Sequence, residues 1–154
     1  MKKYYFTQIL FLFAGTIVAW LAVYDDFARF YGKEGTIFKI ENCTYPNPIV
    51  TPCFYGAIAF LAFFIWAIMV VRRTEIREKI RQEQYLSWAL VCGTLFGWGN
   101  FIKLYLDYIQ GSQIGCSGAP MTIPFATPCF YGSCIFLLSL IVSWLILLRA
   151  GDGD

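Results

Sequence analysis

The sequence predicts an all-α integral membrane protein, a four-transmembrane-helix bundle in which two outward loops carry cysteines. Three observations predict this fold class. Of the 154 residues, 58% are hydrophobic and only 14% are charged, whereas a soluble domain carries about 25% charged residues. The uncharged residues collect in four blocks, each close to the roughly 20 residues that cross a bilayer as a helix. A hexapeptide, Thr-Pro-Cys-Phe-Tyr-Gly, occurs twice, and each copy opens one of these blocks.

The four blocks are predicted as membrane spans within a single membrane domain, 1–154. In chain order the spans cover residues 4–24, 52–71, 85–106 and 128–148. A cleaved signal peptide is the alternative interpretation of the first block. Because the first block matches the third in an internal repeat, we expect it to be a retained helix.

Three more polar segments connect the spans. Residues 25–50 and 108–126 form two loops on one side of the membrane, and residues 72–83 form a charged connector on the other side. The Glu-to-Lys and Glu-to-Arg spacings of the connector are typical of a short solvated helix. The connector side holds eight of the twelve Lys and Arg residues, so both termini are predicted to be cytoplasmic, in a bacterial inner membrane.

The hexapeptide belongs to a longer internal repeat. Repeat 1 covers residues 4–73 and repeat 2 covers residues 85–149. Each repeat holds two spans, so both enter the membrane in the same direction, which predicts two parallel two-helix repeats. Small residues four apart let helices approach closely in lipid. They recur at equivalent positions, namely Gly15, Ala19, Gly93 and Gly97.

Composition narrows the function. A net charge of +2 is too small to indicate nucleic-acid binding. The absence of histidine removes histidine metal sites, histidine general bases and Ser-His triads. Six cysteines leave disulfide, metal or redox chemistry as alternatives. The close Cys-x2-Cys spacing of zinc sites does not occur, so no metal site is predicted.

Four cysteines are the candidate site residues: Cys43, Cys53, Cys116 and Cys129. Thr is a favoured helix N-cap and Pro a favoured first helical residue, so each hexapeptide predicts a helix start. The second cysteine of each pair then lies in a first turn, where N–H groups favour a thiolate. Four cysteines allow three pairings. We expect the bonds Cys43–Cys53 and Cys116–Cys129, because each of them lies within one repeat. The other two cysteines, Cys92 and Cys134, are predicted to be small buried hydrophobic residues.

Four spans, cytoplasmic termini and a cysteine pair on each of two outward loops resemble the disulfide-bond-formation protein B family. The vitamin K epoxide reductases are a more distant comparison. The resemblance implies that the cysteine pairs relay electrons from a partner thiol protein to a quinone. It implies that Cys43 and Cys53 form the first pair, and that Cys116 and Cys129 form the second.

Three functions follow as hypotheses for a protein embedded in a lipid bilayer. The first is thiol–disulfide exchange with an extracytoplasmic thiol protein, with a quinone as candidate electron acceptor and cofactor. The second is a non-enzymatic membrane subunit or assembly factor whose loops are braced by structural disulfides. The third is a small transporter. The ionisable candidates of the predicted spans for this role, Lys103 and Asp107, lie near the outer end of the third span.

Overall fold

The computed structural model describes residues 2–39, 46–112, 114–115 and 120–151. In these ranges the chain forms four long helices and two short 3-10 helices, without a named strand. The long helices are α1 (Lys2–Glu34), α2 (Pro52–Arg72), α3 (Ile76–Ile109) and α4 (Pro128–Gly151). Each is long and apolar enough to cross a membrane. The predicted all-α, four-helix membrane fold is therefore confirmed, while its orientation in the membrane stays a prediction.

The four helices alternate in direction and form a bundle. Helix α1 packs mainly against α2 and α4, and α3 packs mainly against α4 and α2. Helices α2 and α4 lie diagonally across the bundle and meet at only a few points. One end of the bundle holds the starts of α2 and α4, and we call it the cysteine end. The other end holds the short link between α2 and α3, and we call it the connector end.

Two helices are longer than the spans predicted for them. Helix α1 continues to Glu34, so the first part of the predicted loop is helical. Helix α3 begins at Ile76, so most of the predicted 72–83 connector forms the first two turns of a bundle helix. The expectation of a solvated connector is wrong for Glu83, which is fully buried. It is buried because α3 packs against the other helices from its first turns.

Aromatic rings fill the centre of the bundle. The rings of Phe60 on α2 and Phe136 on α4 stack with centroids 3.8 Å apart. A Cβ added to Gly15 on α1 would lie 2.4 Å from the Phe60 ring, and one added to Gly93 would lie 3.0 Å from the Phe63 ring. These glycines therefore make room for phenylalanine rings, which is how the helices approach closely here.

Candidate functional site

Both copies of the hexapeptide begin a helix in the same way. A 3-10 helix precedes each copy, Pro48–Val50 before α2 and Pro124–Ala126 before α4. The backbone angles are φ −83° and ψ 148° at Thr51, and φ −86° and ψ 149° at Thr127. The helix starts agree with the sequence prediction, and the matching geometry extends upstream to a proline that the hexapeptide comparison did not include.

The threonine hydroxyls do not have the predicted capping role. Thr51 stands at the N-cap position of α2 without a side-chain capping bond. Its Oγ1 donates instead to the carbonyl of Pro48 at 2.7 Å, and Thr127 Oγ1 donates to the carbonyl of Pro124 at 2.6 Å. The hydroxyl therefore closes the preceding turn and holds the backbone at the angle from which the helix starts.

The two helix starts bring Cys53 and Cys129 together across the bundle. Their Sγ atoms lie 3.6 Å apart. Cys53 is a free thiol, whereas Cys129 is disulfide-bonded. Cys53 therefore donates its S–H to the Cys129 sulfur. The free state of Cys53 differs from the predicted Cys43–Cys53 disulfide, because its sulfur faces the opposite helix start.

The other four cysteines do not contribute to this contact between sulfur atoms. Cys43 and Cys116 lie outside the described residues, so the pairing of Cys116 with Cys129 stays a prediction. Cys134 is half-buried and free. The prediction that Cys92 is buried is wrong: Cys92 is an exposed free thiol on the bundle surface. The same helix exposes Trp88 and Leu95, an apolar surface that suits contact with lipid.

An inner cavity of about 60 Å³ lies between the two sulfurs and the stacked rings. Its lining is mostly apolar and includes Cys53, Cys129, Gly97, Phe60 and Phe136. An apolar protein cavity of about 150 Å³ is known to hold benzene. The inner cavity is therefore too small for the ring of a quinone.

An outer cavity of about 250 Å³ opens beside Cys53, between α1 and the segment before α4. Asp25, Asp26 and Arg29 on α1 line one side. Asp26 is buried and pairs with Arg29, whose side chain is half exposed. Cys53 lines both cavities, whereas Cys129 lines only the inner one. A molecule that enters the outer cavity therefore reaches Cys53 before Cys129.

The second hexapeptide lies against an aromatic cluster. The Phe130 ring is 5.1 Å from Phe101 and 5.3 Å from Phe125, measured between centroids. The equivalent Phe54 has looser neighbours on α1, Phe27 at 6.1 Å and Trp20 at 6.5 Å. The start of α4 is therefore held by more ring contacts than the start of α2.

One polar cluster was missed by the sequence analysis. At the connector end, Glu83 accepts hydrogen bonds from Gln8 on α1 and Ser143 on α4. The signal that could have found it is a face of α3: Glu83, Ser87 and Leu90 follow each other at spacings of four and three residues. These spacings continue the apolar face of the third span back to Glu83.

In the part of the chain that the structure describes, no group of three or more Cys, Asp or Glu side chains is placed to hold a metal ion. Neither a protein-family model, nor a curated protein, nor a solved structure matches this chain. The geometry of the two sulfurs and their cavities is thus the basis for a function.

Proposed function

We propose that this membrane protein carries out thiol–disulfide exchange at the cysteine end, with Cys53 as the attacking thiol and the Cys129 disulfide as its target. One observation carries the proposal: a free thiol lies 3.6 Å from a disulfide-bonded sulfur. Exchange proceeds by attack of a thiolate on a disulfide sulfur. Since an S–S bond is about 2.05 Å long, an approach of roughly 1.5 Å would form the new bond.

The exchange step is balanced within the chain. Cys53 loses its proton and attacks Cys129 Sγ, and a Cys53–Cys129 bond forms. The bond between Cys129 and its former partner breaks, and that partner leaves as a thiolate that takes up a proton. Cys53 is oxidised and the leaving sulfur is reduced, so the step needs no external oxidant. The predicted leaving sulfur is that of Cys116 in the second loop.

The outer cavity supports a protein as the exchange partner. At about 250 Å³ it has room for a cysteine side chain, and its charged lining suits a polar polypeptide better than a lipid. A partner thiol that enters after the internal step would attack Cys53. It would form a mixed disulfide with Cys53 and release Cys129 as a thiolate. This assigns Cys53 the contact with an extracytoplasmic thiol protein.

A quinone acceptor, which the family resemblance implies, finds no support in the inner cavity. Its volume of about 60 Å³ is well below the roughly 150 Å³ that holds benzene. The exchange step proposed above needs only the sulfur atoms of the chain and of its partner.

The test removes the leaving sulfur. In Cys43→Ser and Cys116→Ser variants, free thiols are blocked in intact membranes and non-reduced peptides are identified by mass spectrometry. When a small disulfide reagent is added as the oxidant, we expect one variant to form a Cys53–Cys129 disulfide, because loss of the former partner leaves two adjacent thiols and the reagent is reduced as they join. The matched control is Cys134→Ser, which removes a free thiol elsewhere on α4. The proposal fails if neither variant yields the Cys53–Cys129 peptide.

The second candidate is a membrane subunit or assembly factor braced by disulfides. The observation that favours it is the disulfide at Cys129, which ties the start of α4 to another segment. A purely structural bridge predicts one pairing that stays fixed when dithiols are added, whereas exchange predicts that a second pairing appears. The same peptide mapping therefore distinguishes the two functions.

A further inference from the structure

A fully buried carboxyl group lies at the connector end, where three helices meet. Glu83 on α3 has no exposed surface. Its Oε1 accepts a hydrogen bond from Gln8 Nε2 on α1 at 2.8 Å and another from Ser143 Oγ on α4 at 2.5 Å. Both donors are neutral, so neither balances the charge of an ionised carboxylate.

Two buried polar atoms at this junction have no hydrogen-bond partner. They are Glu83 Oε2 and the hydroxyl oxygen of Ser139. Ser139 is fully buried and lies one helical turn from Ser143 on the same face of α4. Buried polar groups are almost always hydrogen-bonded. Glu83 Oε2 on α3 and Ser139 Oγ on α4 are thus two buried polar atoms at this junction for which a partner is missing.

The nearest positive charge is engaged elsewhere. Lys79 lies one turn before Glu83 on α3, half-buried. Its Nζ donates to the carbonyl of Val71 at 3.2 Å and lies 4.6 Å from the centre of the Tyr5 ring. Among the described residues Lys79 forms no ion pair with Glu83. Tyr5 on α1 is a titratable side chain that interacts electrostatically with this carboxyl group.

The other packed helices add no counter-charge. On α4 the group that contacts Glu83 is the neutral hydroxyl of Ser143, and Arg149 lies over the ring of Tyr4, 4.3 Å from its centre. The residues of α2 that are buried at this end, Ala67 and Val70, are apolar. An unpaired carboxylate in this position is costly, because burial removes its hydration without replacing it.

We propose that Glu83 is a proton-binding site of this protein. Its ligand is a single proton carried on Oε2, so that the carboxyl group is neutral and supplies the missing donor. Ser139 Oγ is the acceptor, reached by a small side-chain movement or through one shared water. Proton loss would place an uncompensated charge where α1, α3 and α4 meet. Proton binding at Glu83 therefore controls how these three helices pack.

The site is independent of the cysteine exchange. Glu83 and Gly97, which lines the inner cavity, are 14 residues apart on α3, about 21 Å at roughly 1.5 Å per residue. The exchange step can fail while Glu83 still binds its proton, and the reverse also holds. Buried ionisable residues in membrane helices are typical of ion and proton paths, and Glu83 is buried whereas Lys103, the candidate from the sequence, is exposed on α3.

The test is infrared spectroscopy of the full chain in lipid vesicles, with glutamate labelled by carbon-13 in its side-chain carboxyl. We expect the C=O band of a protonated glutamate near neutral pH in wild type. The band should be lost in Glu83→Gln, whose amide is neutral and similar in shape. The matched control is Glu78→Gln, which removes a more exposed glutamate from the same helix and should keep the band.

Three results would overturn the proposal. The first is a wild-type spectrum without a protonated carboxyl band, and the second is a band that survives in Glu83→Gln. The third is an ionised Glu83 band that shifts when sodium chloride replaces potassium chloride, which would indicate a cation site. If Glu83→Gln does not fold, the Ser139→Ala variant provides the test. Removal of the proposed acceptor should change the frequency of the C=O band of the protonated glutamate. An unchanged frequency would contradict the assignment.

Discussion

The two copies of the hexapeptide have the same backbone and different surroundings. Thr51 and Thr127 agree within a few degrees in φ and ψ, and both hydroxyls bond to a proline carbonyl three residues earlier. Yet Cys53 is free and borders a charged cavity, whereas Cys129 is disulfide-bonded. Six identical residues therefore determine how a helix starts, and other parts of the chain determine what each sulfur can do.

The difference originates in the helices that flank the motif. Position 26 of α1 and position 104 of α3 correspond in the repeat, at an offset of 78 residues. Asp26 is buried and pairs with Arg29, which gives the first copy a charged neighbour. Leu104 is buried against Phe101 and Met121, which gives the second copy an apolar one. The residues at positions 26 and 104 are therefore one of the differences between the two sites.

Where the copies agree, equivalent residues meet each other. Cys53 and Cys129 are 76 residues apart and in contact, and Phe60 and Phe136, at the same offset, stack. Residues beside an axis that relates two parallel repeats are expected to meet in this way. The internal repeat itself stays a prediction from the sequence.

The largest expected effect is the loss of mixed-disulfide formation when Cys53, but not Cys129, is the reactive sulfur. Cys53→Ser should abolish the mixed disulfide with an added peptide thiol, because position 53 then has no sulfur to be attacked and Cys129 does not line the outer cavity. The adduct is measured by mass spectrometry after trapping with acid. Cys134→Ser should leave adduct formation unchanged. An adduct at Cys129 in the Cys53→Ser variant would show that the two sulfurs are equally accessible.

The next effect compares two equivalent glycines. Gly15→Ala should destabilise the bundle by about 1–3 kcal/mol, because its Cβ would lie 2.4 Å from the Phe60 ring. Gly93→Ala should cost less, since its nearest atom is 3.0 Å away. Gly99→Ala is the control, with no atom within 4 Å. Denaturant unfolding in mixed micelles measures all three, and equal losses at positions 15 and 93 would contradict the structure.

A smaller effect tests whether the two helix starts are alike. Thr51→Val and Thr127→Val remove a buried hydroxyl that donates to a proline carbonyl. Each should lower the free energy of unfolding by about 1 kcal/mol, and by the same amount. Thr7→Val removes an exposed hydroxyl bond and should have little effect. A large difference between positions 51 and 127 would mean that the surroundings, and not the motif, hold the turn.

The smallest effect concerns the charge beside Cys53. Asp25 and Asp26 outnumber Arg29 in the outer cavity, so a cationic thiol reagent should modify Cys53 faster than an anionic one of similar size. Asp26→Asn should narrow that ratio by roughly two- to fivefold, the size of a screened interaction near a surface. Quenched labelling at several times measures both rates. If the ratio is unchanged by the substitution, the outer cavity is not the route to Cys53.

The sequence by itself determined the membrane class, the four spans and the two helix starts. These features are local: about 20 apolar residues suffice for a span, and a proline at the first helical position marks where a helix begins. The same reasoning located Cys53 and Cys129 in first turns. It also predicted disulfides between cysteines that are close in the chain. The spacing of two cysteines in the sequence gives the length of the loop between them, but it does not give the distance between helices in the folded bundle.

Only the tertiary structure decided which groups meet. The contact between Cys53 and Cys129 depends on α2 and α4 crossing the bundle at their first turns. The burial of Glu83 depends on α1 and α4 covering one face of α3. In both cases the residues are 60 or more positions apart. No local pattern encodes such contacts, because a helix face becomes a site only when a neighbouring helix packs against it.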